Sequence, residues 1–131
     1  MADNFEELEV WQVSMDLAVA IPDLALKFPP EFRWLARQVM DSSESVPSNI
    51  AEGFERRLNG DFVRFLRIAK ASLGETVSHL VYAKRRRLVT PGDYDEYAQH
   101  CLRVKKMLAS LIAYLVKHPK RPDADGRSGG P

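Results

Sequence analysis

Apolar side chains recur at intervals of three and four from near the start of the chain to residue 118, and this rhythm divides it into four amphipathic segments. In the first, Val10, Val13, Leu17, Ile21, Leu24 and Phe28 form one stripe, with Leu8, Trp11, Met15 and Ala18 beside it. Together they predict a helix over 8–28 with a broad buried face. Pro22 removes a backbone hydrogen bond inside it and predicts a bend, and Phe28-Pro29-Pro30 ends it. The second segment keeps Phe32, Leu35, Val39, Ser43, Val46, Ile50 and Gly53 or Phe54 in phase. The phase does not break at Pro47, so one bent helix is expected there and not two. Trp34 falls opposite this stripe and needs a cover of its own, from another helix or another subunit.

Asn59-Gly60 interrupts the pattern and offers a helix cap, with Asp61 in the first turn of the next helix. In the third segment Phe62, Leu66, Ala69, Leu73, Thr76 and Leu80 alternate by four and three, the seam of a bundle helix. Gly74 inside it costs about 1 kcal/mol relative to alanine, which points to a close backbone approach. Lys84-Arg85-Arg86-Arg87 suits the negative end of the helix dipole. Thr90-Pro91-Gly92-Asp93 then reads as a helix start, with Thr90 as cap and Pro91 in the first position. Tyr94, Tyr97, Cys101, Val104, Leu108, Leu111 and Leu115 give the fourth helix the cleanest periodicity of all. Four helices with short connections and no strand-like alternation predict an all-α fold, an antiparallel up-down-up-down four-helix bundle over 1–118. Residues 119–131 are polar and rich in proline and glycine, and are expected to form a disordered, flexible tail.

A chain of 131 residues suffices for one core, and 45% apolar with 28% charged residues describes a globular domain. Its apolar runs are too short to cross a bilayer, and Met-Ala-Asp-Asn-Phe-Glu-Glu lacks the plan of a signal peptide, so a cytoplasmic protein without membrane contact is expected. Cys101 is the only cysteine, which excludes an intrachain disulfide and a multi-cysteine metal site; its stripe position makes it a small buried hydrophobe. His79, His100 and His118 stand apart without metal-ligand spacing, and His100 points to a different helix face from its neighbour Cys101, so adjacency alone does not make them a Cys-His dyad. No Glu-x-x-His pair or glycine-rich phosphate loop occurs, so a non-enzymatic protein with no cofactor and no metal is expected.

The net charge of +1 conceals a segregation. Residues 1–51 hold nine acidic and three basic side chains, a net of −6, and residues 52–87 hold four and nine, a net of +5. Within the boundary between them, Pro47, Asn49, Glu52 and Gly53 read as a structural motif. Glu52 and Arg56 stand four apart in the favourable order for an ion pair, Asn49 can bond a neighbouring helix, and Gly53 admits close packing. The structural expectation is a partly buried cluster that fixes helix register; the functional one is that Arg56 and Arg57 hold a phosphate or a partner. On the third helix Arg64, Arg67, Tyr82 and Arg85 share an outward face, with Arg86 and Arg87 at its end. Arginines interleaved with a tyrosine can neutralise phosphates and stack on a base. The same face also suits solvent, or an acidic surface of another copy.

Leu8-Glu9-Val10-Trp11-Gln12, Val46-Pro47-Ser48-Asn49-Ile50-Ala51-Glu52-Gly53, Phe62-Val63-Arg64-Phe65-Leu66 and Ser72-Leu73-Gly74-Glu75 carry a resemblance that spans about residues 8–117. In them the chain resembles the bacterial four-helix-bundle proteins named for the intervening sequences of 23S ribosomal RNA genes. That family is similar in fold to the accessory variability proteins of diversity-generating retroelements, basic pentamers that bind nucleic acid and a reverse transcriptase. The resemblance implies a cytosolic homo-oligomeric bundle, a pentamer, with RNA or DNA and a reverse transcriptase as further partners to be tested. One departure stands out: Met40-Asp41-Ser42-Ser43-Glu44 occupies the place where relatives tend to carry arginines. Two functions are thus expected: a homo-oligomeric scaffold or adaptor with Trp34 as a contact, or a nucleic-acid-binding accessory protein using Arg56, Arg57, Arg64, Arg67 and Arg85 to Arg87.

Overall fold

The computed structural model describes residues 2–120, and among these it holds four long helices and no strand. They are α1 (Glu9–Ala25), α2 (Arg33–Glu55), α3 (Asn59–Arg85) and α4 (Pro91–Lys117). Short 3-10 turns at Phe5–Glu7 and Pro30–Phe32 precede α1 and α2. The helices pack in sequence order as an antiparallel up-down-up-down bundle. Pro119 and Lys120 lie outside any helix, and the remainder of the expected tail lies outside the described residues.

The stripes legible in the sequence are the core. Leu17 and Ile21 of α1, Leu35, Val46 and Ile50 of α2, Leu66 and Leu80 of α3, and Val104 and Leu108 of α4 are almost wholly removed from water. Burial of each such side chain favours the fold by roughly 1.5–3 kcal/mol. α1 is shorter than expected, because the chain leaves the helix at Leu26 and turns through Phe28 into the two prolines. α2 continues through a buried Pro47, as the unbroken phase required.

α2 and α3 share the largest helix interface and α1 and α4 the smallest. Small polar side chains let α2 and α3 approach: Ser42 Oγ lies 2.8 Å from Thr76 Oγ1, and Ser45 Oγ 2.9 Å from Ser72 Oγ. The thin α1–α4 contact is tied by side chains to backbone. The Tyr97 hydroxyl donates to the Ala20 carbonyl at 3.0 Å, and His100 Nε2 to that of Val13 at 3.0 Å.

At the start of α4 the Thr90 hydroxyl accepts from the Asp93 N–H at 3.0 Å, with Pro91 in the first turn as expected. Two expectations about α3 are overturned. Asn59 does not cap it, since Leu58 holds that position without a side-chain bond. Asn59 instead turns inward and its amide donates to the His118 carbonyl, tying the start of α3 to the end of α4. Nor does Gly74 mark a close approach, because a Cβ built there meets nothing within 4 Å. The position faces open space beside α4.

Candidate partner-binding surfaces

The hairpin of α2 and α3 carries most of the residues singled out in the sequence. At its turn Gly53 is buried, and a Cβ there would stand 2.6 Å from Phe65 Cβ and 3.0 Å from Phe62 Cδ1. The glycine is what lets α3 lie directly on α2. Asn49 binds within its own helix, donating to the Ser45 carbonyl at 2.8 Å and the Ser45 hydroxyl at 3.0 Å. It thus reaches the neighbouring helix only through the Ser45–Ser72 pair.

Glu52 departs from the expected partly buried cluster. It lies on the surface and pairs with Arg56 at 3.0 Å, an exposed contact worth about 0.3–0.5 kcal/mol. In helical phase Glu52 stands about 100° from Gly53 and about 160° from Ile50, on the side of α2 turned away from the buried stripe. Pro47 and Gly53 are buried, while Glu52 pairs with Arg56 at the surface.

Phe65 is the residue that periodicity in the sequence did not single out. Arg56 stands over its ring at 4.9 Å and Arg64 at 4.6 Å, so an arginine at the end of α2 and one from α3 contact a single aromatic ring. Asp61 lies 3.9 Å from Arg64. Arg57 stands 5.9 Å from the centre of the Phe54 ring. Each cation–π contact contributes about 0.5–1 kcal/mol at an exposed site. The signal was present in the pattern Phe62-Val63-Arg64-Phe65, but the pairing required the register between α2 and α3.

At the opposite end, Trp34 of α2 and Tyr82 of α3 meet edge to face at 5.7 Å. Trp34 therefore has a cover within its own chain, yet the two rings stay 45% and 43% exposed. Arg86 stands 5.4 Å from the Phe32 ring centre and Lys84 4.3 Å from that of Tyr94. Arg67 and Arg85 make no ion pair among the described residues.

The arginines of α3 accordingly form two groups, not one track. Arg67 and Arg85 are separated by roughly 27 Å of helix, and exposed Glu75 lies between them. Arg57 and Arg87 share a different feature, each adopting a left-handed backbone, with φ of 67° and 61°, just past a helix end. Leu88 N–H donates to the Ala83 carbonyl and Arg87 N–H to that of Lys84, both at 2.9 Å, which closes α3 in a Schellman motif. Glycine is the usual occupant of that position.

Cys101 is buried at the α3–α4 contact, and desolvation pushes its thiol up to about 11. Burial also raises the Tyr97 hydroxyl, aided by the nearby carboxylates of Asp23, Glu96 and Asp93. Among the described residues no three His, Cys, Asp or Glu side chains group as metal ligands, and no helix is long and apolar enough to cross a membrane.

A family model described as 23S rRNA-intervening sequence protein matches residues 6–110. The crystal structure of a protein of unknown function from the S23 ribosomal protein family of Bacteroides thetaiotaomicron is similar at a TM-score of 0.74 and 26% identity. That similarity covers 79% of this chain and 95% of the other. No curated protein matches.

Proposed function

The chain belongs to the 23S rRNA-intervening sequence protein family, and we propose that it works as a non-enzymatic module that assembles with copies of itself to form a scaffold or adaptor. The observation that carries this reading is the outer side of α1. Val19 and Leu26, one heptad apart, are 67% and 73% exposed although four helices have already packed around a complete core. Two apolar side chains left facing water along α1 and its C-cap would be stabilised by a partner surface. The exposed Trp34–Tyr82 pair provides a second anchor of the kind that dominates protein contacts. Five copies is the number suggested by the resemblance to the retroelement accessory proteins. Light scattering on the full chain at micromolar concentration tests the reading: a single species of several-fold monomer mass is expected, and a strict monomer contradicts it.

A second reading, contact with RNA or DNA, is favoured by Arg57 and Arg87. Each keeps a charged side chain where glycine would be less strained. Their place at helix C-termini also suits the dipole, which explains the charge without any ligand. The two ends of α3 would then act as separate phosphate contacts. Titrating an RNA hairpin and duplex DNA at several salt concentrations tests this. A steep salt dependence lost in Arg64→Glu with Arg67→Glu supports it, and no binding at low salt removes it.

A further inference from the structure

An open groove of about 550 Å³ lies between α3 and α4. Buried Leu73 and Cys101 lie beneath it, and Val77, Ala98 and Leu102 line it with further apolar surface. Gly74 lines it as well. Glycine weakens a helix interior relative to alanine, yet the φ of Gly74 is not in the left-handed range and nothing in this chain occupies the space its missing side chain leaves. The glycine therefore widens the groove without admitting a neighbouring helix of the bundle. Leu102 beside it stays 41% exposed.

Charge is confined to one end. α3 and α4 are antiparallel, and Lys70 and Lys105 lie almost equally far from the connection between them, so they stand level across the groove. Val77 and Ala98 stand level at the other end by the same count. No carboxylate lines the groove, and neither lysine makes an ion pair among the described residues. From Lys70 to Val77 the groove runs roughly 10 Å along α3. An extended alkyl chain of about eight carbons covers that length. An α-helix with its side chains is about 10–12 Å wide, so the groove is no longer than a helix is broad and suits a slender chain better.

We infer that the α3–α4 groove binds a single-chain anionic amphiphile, a fatty acid of medium length, with its carboxylate between Lys70 and Lys105 and its alkyl chain passing over Gly74 towards Val77 and Ala98. Charge selects the head, because a carboxylate gains two ammonium partners at a rim that holds no competing anion. The apolar lining and the absent side chain select the tail, and the volume falls within the range of small-molecule sites, which occur between the helices of bundles. Room for one chain selects a free fatty acid over a two-chain membrane lipid. The site shares no residue with the exposed Val19, Leu26, Trp34 or Tyr82, so the inference goes beyond the assembly reading and does not depend on it.

Titration calorimetry of the full chain with hexanoate, octanoate, decanoate and dodecanoate, each below its micelle concentration, tests the inference. Saturable binding of one molecule per chain is expected, with affinity rising about two- to fourfold per methylene up to decanoate and levelling off beyond the end of the groove. Decanol is expected to bind about tenfold more weakly than decanoate. Lys70→Glu with Lys105→Glu should remove that difference, and decyltrimethylammonium should then bind better than decanoate. Gly74→Leu fills the groove without a clash, since its Cβ meets nothing within 4 Å, and should abolish binding. Leu102→Asp, at an exposed position, is a second blocking variant, and circular dichroism checks the folding of both. Val19→Ser with Leu26→Ser should leave the affinity unchanged. Absence of saturable decanoate binding overturns the inference, as does an affinity that stays within about twofold in whichever blocking variant folds. Sedimentation with phosphatidylglycerol vesicles in place of decanoate binding would assign the lysines to a membrane surface and also overturn it. Light scattering of the same wild-type samples reports on self-assembly alone, so the two readings fail separately.

Discussion

Gly53 and Gly74 look alike in the sequence, each a glycine within a helix, and the structure separates them by what surrounds the missing side chain. At Gly53 an added Cβ meets Phe65 Cβ at 2.6 Å, so α2 and α3 must move apart to admit it. Gly53→Ala is expected to lower stability by about 1–3 kcal/mol despite the better helix propensity of alanine. Gly74→Ala should do the reverse, raising stability by about 0.5–1 kcal/mol because nothing opposes the new methyl. Chemical denaturation of the two variants beside the wild type checks both signs. Cys101 provides a pH-dependent test at the same scale. Its thiol is raised from 9.0 to about 11 by burial, so the folded chain holds its proton where the unfolded chain releases it. This contribution is fully present below pH 9 and is lost as pH rises from about 9 towards 11. Denaturation midpoints across that window should fall more steeply for the wild type than for Cys101→Ala. Equal slopes would contradict the assignment.

Helix ends show how much of an element is legible before its neighbours are known. Thr90 and Pro91 announce the start of α4 from local chemistry alone, and the hydroxyl makes the expected bond. Asn59 carried an equally good local signal and did something else. Its amide suits a cap and a buried donor alike, and the arrival of the His118 carbonyl from α4 decided between them. The same limit applies to Phe65 and to the Trp34–Tyr82 pair, because periodicity fixes which face a residue takes but not the register between two helices. The closing turn of α3 makes a prediction at this scale. Arg87 holds a left-handed φ of 61°, which costs a non-glycine residue roughly 1–2 kcal/mol. Arg87→Gly should raise the melting temperature by several degrees, about 4 °C per kcal/mol gained for a domain of this size. For Trp34 and Tyr82, a double-mutant cycle to alanine should give a coupling of about 0.5–1 kcal/mol, the low end for aromatic pairs because both rings face water. A coupling indistinguishable from zero would show that the edge-to-face contact adds nothing to α2–α3 packing.

For the whole molecule, the charge segregation in the sequence acquires a geometry. α1 is acidic without a basic residue, and the α3–α4 groove has lysines and no carboxylate, so surfaces of opposite sign lie on different sides of one bundle. The core accounts for the four stripes and leaves Val19, Leu26 and the groove unused. The four-helix architecture was legible because each stripe repeats for many turns, which identifies a buried face whatever lies opposite. The groove was not, because a glycine facing open space and one under a close neighbour are written alike. The central claim is that the exposed Val19 and Leu26 belong to contacts between copies. Light scattering of the full chain at micromolar concentration tests it most directly: one species of fixed several-fold mass is the predicted result, and a chain that remains strictly monomeric would contradict it.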